Sequence, residues 1–313
     1  MTQYPINATP IQKNQKDNST LFQKPTTIHS FIHCTMTTTT TTVNDDKILA
    51  PQPPQSRSDG RNSANTLRPL SCQLSCLHQA DGSALWKSGA TQVLCAVHGP
   101  LAPRVASQED AQQTTLVVLY ADEPSLEPIL SRALQACVVL SDYPKTVLQI
   151  VLQTIQHDGS VLSCAVHAAA CALMDAGVSM YCMPIATTCC CFLDDDITTK
   201  KNKANDGVGI YLDPNKEEEE EVMLGGSNPD DDGIAAIGSS SIVTYIQTST
   251  RTDKDHGRVL ATVMEVGSLS LESLLKCEEV ASRASTAVVA FMRLAIEQKV
   301  TRQSQTLFST YTT

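Results

Sequence analysis

The sequence predicts one mixed α/β domain behind a polar N-terminal tail, and three observations lead there. Short β-branched segments separated by turn residues fill the stretch from Ser71 to Tyr120. A strand, a tight turn and an Ala-rich helix follow one another without a break between Val147 and Gly177. Near the C-terminal end, apolar residues recur three and four apart over a long stretch. Strands first, then helices interleaved with strands, make a layered mixed fold rather than a bundle or a sandwich.

Taken in order, residues 1–65 are rich in Thr, Gln, Asn, Ser and Pro and include the Thr37–Thr42 tract. Such a segment cannot bury enough apolar surface to offset its ordering entropy, and it is predicted to be a disordered low-complexity tail. The domain is placed at 66–313. Strands are predicted at Ser71–Leu77, Ser83–Lys87, Thr91–His98 and Thr115–Tyr120. The Asp81-Gly82 and Gly89-Ala90 turns set the first three out as an antiparallel meander. A helix is predicted over Leu126–Leu140, because Ile129, Leu130, Ala133, Leu134 and Cys137 share one face.

The Val147–Ile155 strand then enters the Asp158-Gly159-Ser160 turn, and the helix behind it stops at Gly177. A helix that starts directly off a strand aims its free N–H groups at the turn, an arrangement suited to an anion. Neither the turn nor the helix holds an Arg or Lys. The sequence therefore predicts the shape of a phosphate cradle without the charge to hold a phosphate.

Further strands are predicted at Ile185–Leu193, Ile210–Leu212, Ile242–Thr248 and Arg258–Val266. Polar residues at about 197–207 read as a loop insertion. The stretch 214–240, with Glu217–Glu221 and Asp230–Asp232 around Gly and Ser, reads as a flexible acidic insertion. The last helix is predicted over Leu269–Gln298, with a core stripe of Leu271, Leu274, Cys277, Ala281, Ala284, Val288, Phe291 and Ala295.

Composition narrows the function. A net charge of −10 and only 4% aromatics argue against a free-standing nucleic-acid binder. Residues 1–30 hold no apolar run of the length a secretory signal needs, and no run long enough for a membrane span exists. The twelve cysteines lack zinc-finger spacing. Cys189, Cys190 and Cys191 alternate across a strand and cannot all ligate one ion, so the cysteines are read as reduced, buried thiols.

Five blocks, in order, carry a resemblance. They are Leu67-Arg68-Pro69, Ala80-Asp81-Gly82-Ser83-Ala84, Gly89-Ala90-Thr91-Gln92-Val93-Leu94-Cys95, Ser131-Arg132-Ala133-Leu134-Gln135-Ala136, and Asp158-Gly159-Ser160 followed by Ala168-Ala169-Ala170-Cys171-Ala172-Leu173-Met174-Asp175-Ala176-Gly177. Together they resemble the ribonuclease PH family, and within it the non-catalytic ring subunits of the eukaryotic RNA exosome. The resemblance implies a ribonuclease PH-like α/β domain, of the kind also described as ribosomal protein S5 domain 2-like. It implies partners too: other ribonuclease PH-type subunits in a hetero-hexameric ring, S1/KH cap subunits, and RNA, with no membrane. Localisation would be nuclear and nucleolar, and also cytoplasmic.

The family's phosphorolytic enzymes bind phosphate at a Gly-Thr-Arg turn helped by a second Arg. Here the resemblance aligns Gly159, Ser160 and Val161 with that turn and puts the second Arg near Asp122. Each lost charged hydrogen bond would cost about 1.5–3 kcal/mol, so no catalytic residue, no phosphorolysis and no cofactor are expected. Asp213 and, six residues on, Glu219 fall at the family's metal-binding positions. They are candidates only, since Glu219 stands inside a run of five glutamates, and the site is read as a remnant without metal. Lys87 and Arg104 lie where ring members face RNA and are candidate phosphate contacts. His157 and His167 are read as packing residues. Ser160, His157 and Asp158 stand too close in sequence on a strand end to converge as a triad. The rival readings are a metal-dependent nuclease using Asp213 and Glu219, or a nucleic-acid-binding homodimer.

Overall fold

The computed structural model describes residues 57–105, 108–193, 208–224, 241–249 and 258–311. Nine strands and four helices alternate along it as β1 (Leu70–Leu74), β2 (Gly82–Ser88), β3 (Thr91–Leu101), β4 (Thr115–Tyr120), α1 (Glu127–Cys137), β5 (Val147–Gln156), α2 (Val161–Asp175), β6 (Pro184–Leu193), β7 (Val208–Leu212), α3 (Lys216–Leu224), β8 (Ser241–Thr248), β9 (Val259–Val266) and α4 (Leu271–Tyr311).

Two sheets result. The first has the order β1-β2-β3-β5-β4, and the second β7-β6-β8-β9. The predicted meander is present, with β1, β2 and β3 paired antiparallel. β4 instead runs parallel to β5, with α1 in the crossover connection that a parallel pair requires. The second sheet is antiparallel throughout.

Helix α2 lies between the sheets, against β2 and β3 on one side and β6 on the other. Every residue from Val161 to Leu173 is buried. A helix buried on all sides needs a small-residue composition to let both sheets approach, and the Ala168–Ala170 run with Ala165 and Ala172 supplies it. The approach is so close that a Cβ on Gly82 would lie 2.4 Å from the Ala172 carbonyl oxygen. Gly177 ends α2 with φ +72°, the left-handed stop that the sequence predicts. The three consecutive cysteines behave as expected of a buried strand. Cys189 and Cys191 face α4 beside Cys277 and Ala281, whereas Cys190 points the other way, toward Val222 and Ile242.

The structure corrects several expectations. Residues 57–65, assigned by sequence to the disordered tail, are mostly exposed but anchored by their arginines: Arg57 is buried and donates to the Leu212 carbonyl at 2.9 Å. The acidic stretch at 214–240 begins as helix α3, not as a loop, with Glu218, Glu219 and Val222 buried. Helix α4 continues to Tyr311, past the end of its apolar stripe, and Lys299 pairs there with the buried Asp175. The stripe itself holds from Cys277 to Phe291, but Leu271 is 73% exposed in the first turn. Residues 1–56, the insertion predicted at 197–207 and the remainder of the acidic stretch, 225–240, lie outside the described residues.

Candidate functional site

The Asp158-Gly159-Ser160 turn joins β5 to α2, and two of its residues take left-handed backbone angles, Gly159 with φ +78° and Ser160 with φ +51°. A left-handed non-glycine residue persists only where its surroundings hold it there. Ser160 is held twice. Its N–H donates to Glu219 Oε1 at 2.6 Å, and its hydroxyl donates to the Pro214 carbonyl at 3.0 Å. The hydroxyl makes no cap bond to α2. Val161 opens α2 as a buried core side chain.

The opposite side of the turn is taken by a guanidinium that the sequence placed elsewhere. Arg68, just before β1, reaches across to the Asp158 carbonyl and, at 3.3 Å, to the Gly159 carbonyl. Thr91 completes the set, accepting from the Asp158 N–H at 3.2 Å and donating to the Gly159 carbonyl at 2.8 Å. The expectation that this turn has no cation near it is therefore incomplete. A cation is present, but its charge is balanced by Asp213, whose Oδ1 accepts from Arg68 Nη2 at 2.7 Å.

Asp213 closes β7, also with a left-handed φ of +50°. Its Oδ2 accepts the Arg68 backbone N–H at 3.0 Å and the Ser88 hydroxyl at 2.9 Å. Burial on its own would raise the pKa of this carboxyl, but the Arg68 charge and these donors hold it down at about 2. Glu219 has the reverse balance. Burial dominates over the single Ser160 N–H, and with Glu265 adding like charge its pKa is pushed up to about 7.

A second buried ion pair roots α3. Arg57 grips Glu218 with two parallel bonds, Nε to Oε1 at 2.8 Å and Nη2 to Oε2 at 2.6 Å. Asn215 and Glu218 form a reciprocal capping box, Asn215 Oδ1 accepting the Glu218 N–H at 2.9 Å and Glu218 Oε2 accepting the Asn215 N–H at 3.1 Å. Arg61 binds the Asp213 carbonyl at 2.9 Å and the Thr66 carbonyl at 2.6 Å. Sequence reasoning overlooks Arg57, Arg61 and Glu218. The available signals were the Asn215-x-x-Glu218 spacing and the need of buried glutamates for nearby arginines.

The two metal candidates are thus drawn into different roles. Both oxygens of Asp213 already accept from Arg68 or Ser88, and Glu219 accepts from Ser160. A divalent ion on Asp213 would have to displace a guanidinium from the same oxygens, so these residues do not fit a metal. Among the described residues no group of three or more His, Cys, Asp or Glu side chains could hold an ion. Lys87 lies half-buried on β2 and Arg104 is exposed beyond β3, and neither joins the network. Asp122 accepts the Thr154 N–H at 2.8 Å. His157 is exposed, whereas His167 is buried on α2, accepts the Ala186 N–H at 3.2 Å and lies 4.9 Å from the Trp86 ring at a 55° tilt. Burial takes the His167 pKa down to about 4.

Comparison with known proteins agrees with this architecture. A model of the 3′ exoribonuclease family, domain 1 (RNase PH), matches residues 66–179. The exosome complex exonuclease RRP46 homolog of Oryza sativa subsp. japonica is 30% identical over 253 residues, covering 78% of this chain and 97% of the rice protein. The homolog of the same name from Arabidopsis thaliana is 37% identical over 168 residues, 51% of this chain and 64% of that protein. The crystal structure of rice Rrp46 superposes with a TM-score of 0.61 at 28% identity, covering 77% of this chain and all of that one. An archaeal exosome core subunit shares the fold, with a TM-score of 0.54 at 19% identity over 75% of this chain and 90% of that chain. With the two-sheet fold, the buried α2 and a full-length relative in agreement, the chain belongs to the ribonuclease PH-type 3′ exoribonuclease family.

Proposed function

We propose that this chain is a non-catalytic ring subunit of the eukaryotic RNA exosome. It would scaffold a hexameric ring with other ribonuclease PH-type subunits beneath S1/KH caps, and help guide RNA toward 3′–5′ processing and degradation elsewhere in the complex. That role places it in the nucleus, nucleolus and cytoplasm, with no cofactor of its own. The similarity to relatives named as exosome components over nearly the whole rice protein supports the assembly. The observation that carries the non-catalytic half is the state of the Gly159-Ser160-Val161 turn. Its N–H at Ser160 is satisfied by Glu219 and its Gly159 carbonyl by Arg68, and among the described residues the guanidinium that reaches it is compensated by Asp213.

The two plant relatives are named exonucleases, which favours a rival reading in which this chain cleaves RNA itself. The two readings separate cleanly. The tagged chain, isolated from gently lysed cells, is expected to carry the other ribonuclease PH-type subunits and the caps in stoichiometric amounts. The purified chain, given poly(A) and inorganic phosphate, is expected to release no nucleoside diphosphates. Recovery as a lone monomer or homodimer would overturn the assembly, and diphosphate release would overturn the lack of catalysis.

A further inference from the structure

Helix α3 does more than follow β7. Its first turn delivers Glu219 onto the Ser160 N–H, the group at the entrance of α2 that faces an incoming anion. Glu219 is 8% exposed, so this is a buried contact and not a surface one. The chain before α3 closes the same space. A Cβ on Gly159 would fall 2.6 Å from the Pro214 carbonyl oxygen and from the Asn215 carbonyl carbon, and 2.8 Å from the Lys216 nitrogen. A further observation at the turn points to an anion. Arg68 is 4% exposed and still has its Nε without a hydrogen-bond partner.

We propose that Glu219 is a built-in occupant: its carboxyl group fills the α2 N-terminal cradle in the place a phosphate group would take, and α3 is the arm that holds it there. Three features make the arm firm. The Asn215–Glu218 capping box fixes where α3 starts. The buried Arg57–Glu218 pair ties its first turn to the segment before β1. The Ser160 hydroxyl, bonded to the Pro214 carbonyl, seals the entrance. A tethered carboxyl group competes at an effective concentration that dilute free phosphate does not match. The charges facing Glu219 are Arg68 and Asp213, which balance each other, and Glu265 on β9, which weakens any anion bound there.

The inference rests on the reading that the chain does not carry out phosphorolysis, but it fails by a different measurement. The full chain, as wild type, Glu219→Ala and Glu219→Gln, is heated in inorganic phosphate or in chloride at equal ionic strength. The wild type is expected to show only the small general stabilisation that an excluded salt such as phosphate gives any folded chain, and each variant is read as its shift beyond that. Glu219→Ala is expected to gain phosphate-dependent stabilisation, with an apparent affinity about ten- to a hundredfold above wild type, the equivalent of one charged hydrogen bond. Glu219→Gln keeps the shape and drops the charge, so it should fall between, and it carries the test alone if the alanine variant does not fold. A phosphate response in the wild type equal to that of the variants overturns the proposal. So does the lack of a response in every variant that folds. Neither result bears on whether poly(A) is degraded.

Discussion

A buried carboxylate survives only through the groups that neutralise it, and Asp213 shows how narrow that dependence is. Its two oxygens take three donors, two of them from Arg68. Asp213→Ala would leave the Arg68 guanidinium buried without its counter-charge, at a cost of about 3–5 kcal/mol in urea denaturation. The acid limb should show the same group. Its folded pKa of about 2 lies below the ordinary 3.8, so its contribution is complete above 3.8 and is lost as pH falls toward 2. His167 acts in a higher window. Its folded pKa of about 4 lies below the ordinary 6.5, so the unfolded chain binds the extra proton between those values and stability falls as pH drops from 6.5 to 4. At about 1.4 kcal/mol per unit that is on the order of 3 kcal/mol. Glu219 slopes the opposite way, losing its contribution as pH rises from 4.5 toward 7, so the wild-type curve is flattened. His167→Phe should remove only the histidine part. Its stability relative to wild type should therefore rise by roughly 3 kcal/mol between pH 6.5 and 4, and an unchanged difference across that range would contradict this account.

Among the elements, α2 sets the tolerances. Gly82 on β2 has no room for a methyl group, because the obstruction is the Ala172 oxygen and Ala176 nitrogen of the helix backbone rather than a movable side chain. Gly82→Ala should cost about 1–3 kcal/mol or more, read as a lowered urea midpoint with an unchanged slope. The strands and α2 were legible because a buried strand and a buried helix write their periods directly into the apolar positions. The Leu126–Leu140 expectation ran past the real α1, which gives way at Val138 to extended backbone bridging Met180. Helix α3 was illegible by the same logic. Lys216-Glu217-Glu218-Glu219-Glu220-Glu221 carries no apolar stripe, and two of its acids are buried for reasons that lie elsewhere in sequence. Their partner Arg57 stands 161 positions from Glu218, and Glu219 meets Ser160 across 59. Local pattern cannot report such pairings. The candidate residues at the turn were found from sequence, but the cations and carboxylates that fill it were not.

At the scale of the whole molecule, charge decides how RNA can be met. Between Leu67 and Asp196 the chain carries five basic residues against twelve acidic ones, and one of the five, Arg68, lies buried in an ion pair at the site. An isolated chain of this balance should hold single-stranded RNA only weakly, since affinity comes mainly from released counterions. Within a ring, basic neighbours would set the affinity, and this subunit would add only the few cations that reach its surface. Lys87 and Arg104 are the proposed ones. If both touch phosphates, Lys87→Glu with Arg104→Glu in the assembled complex should weaken RNA binding without altering subunit stoichiometry. The slope of log affinity against log salt should also fall by about 1.4, roughly 0.7 for each lost contact on a single strand. The slope is the decisive readout, because a general loss of folding would lower the active fraction and leave the salt dependence of the remainder unchanged. Unaltered affinity and slope in the double variant would place the RNA path on other subunits, and would limit this chain's part in the ring to holding its neighbours together.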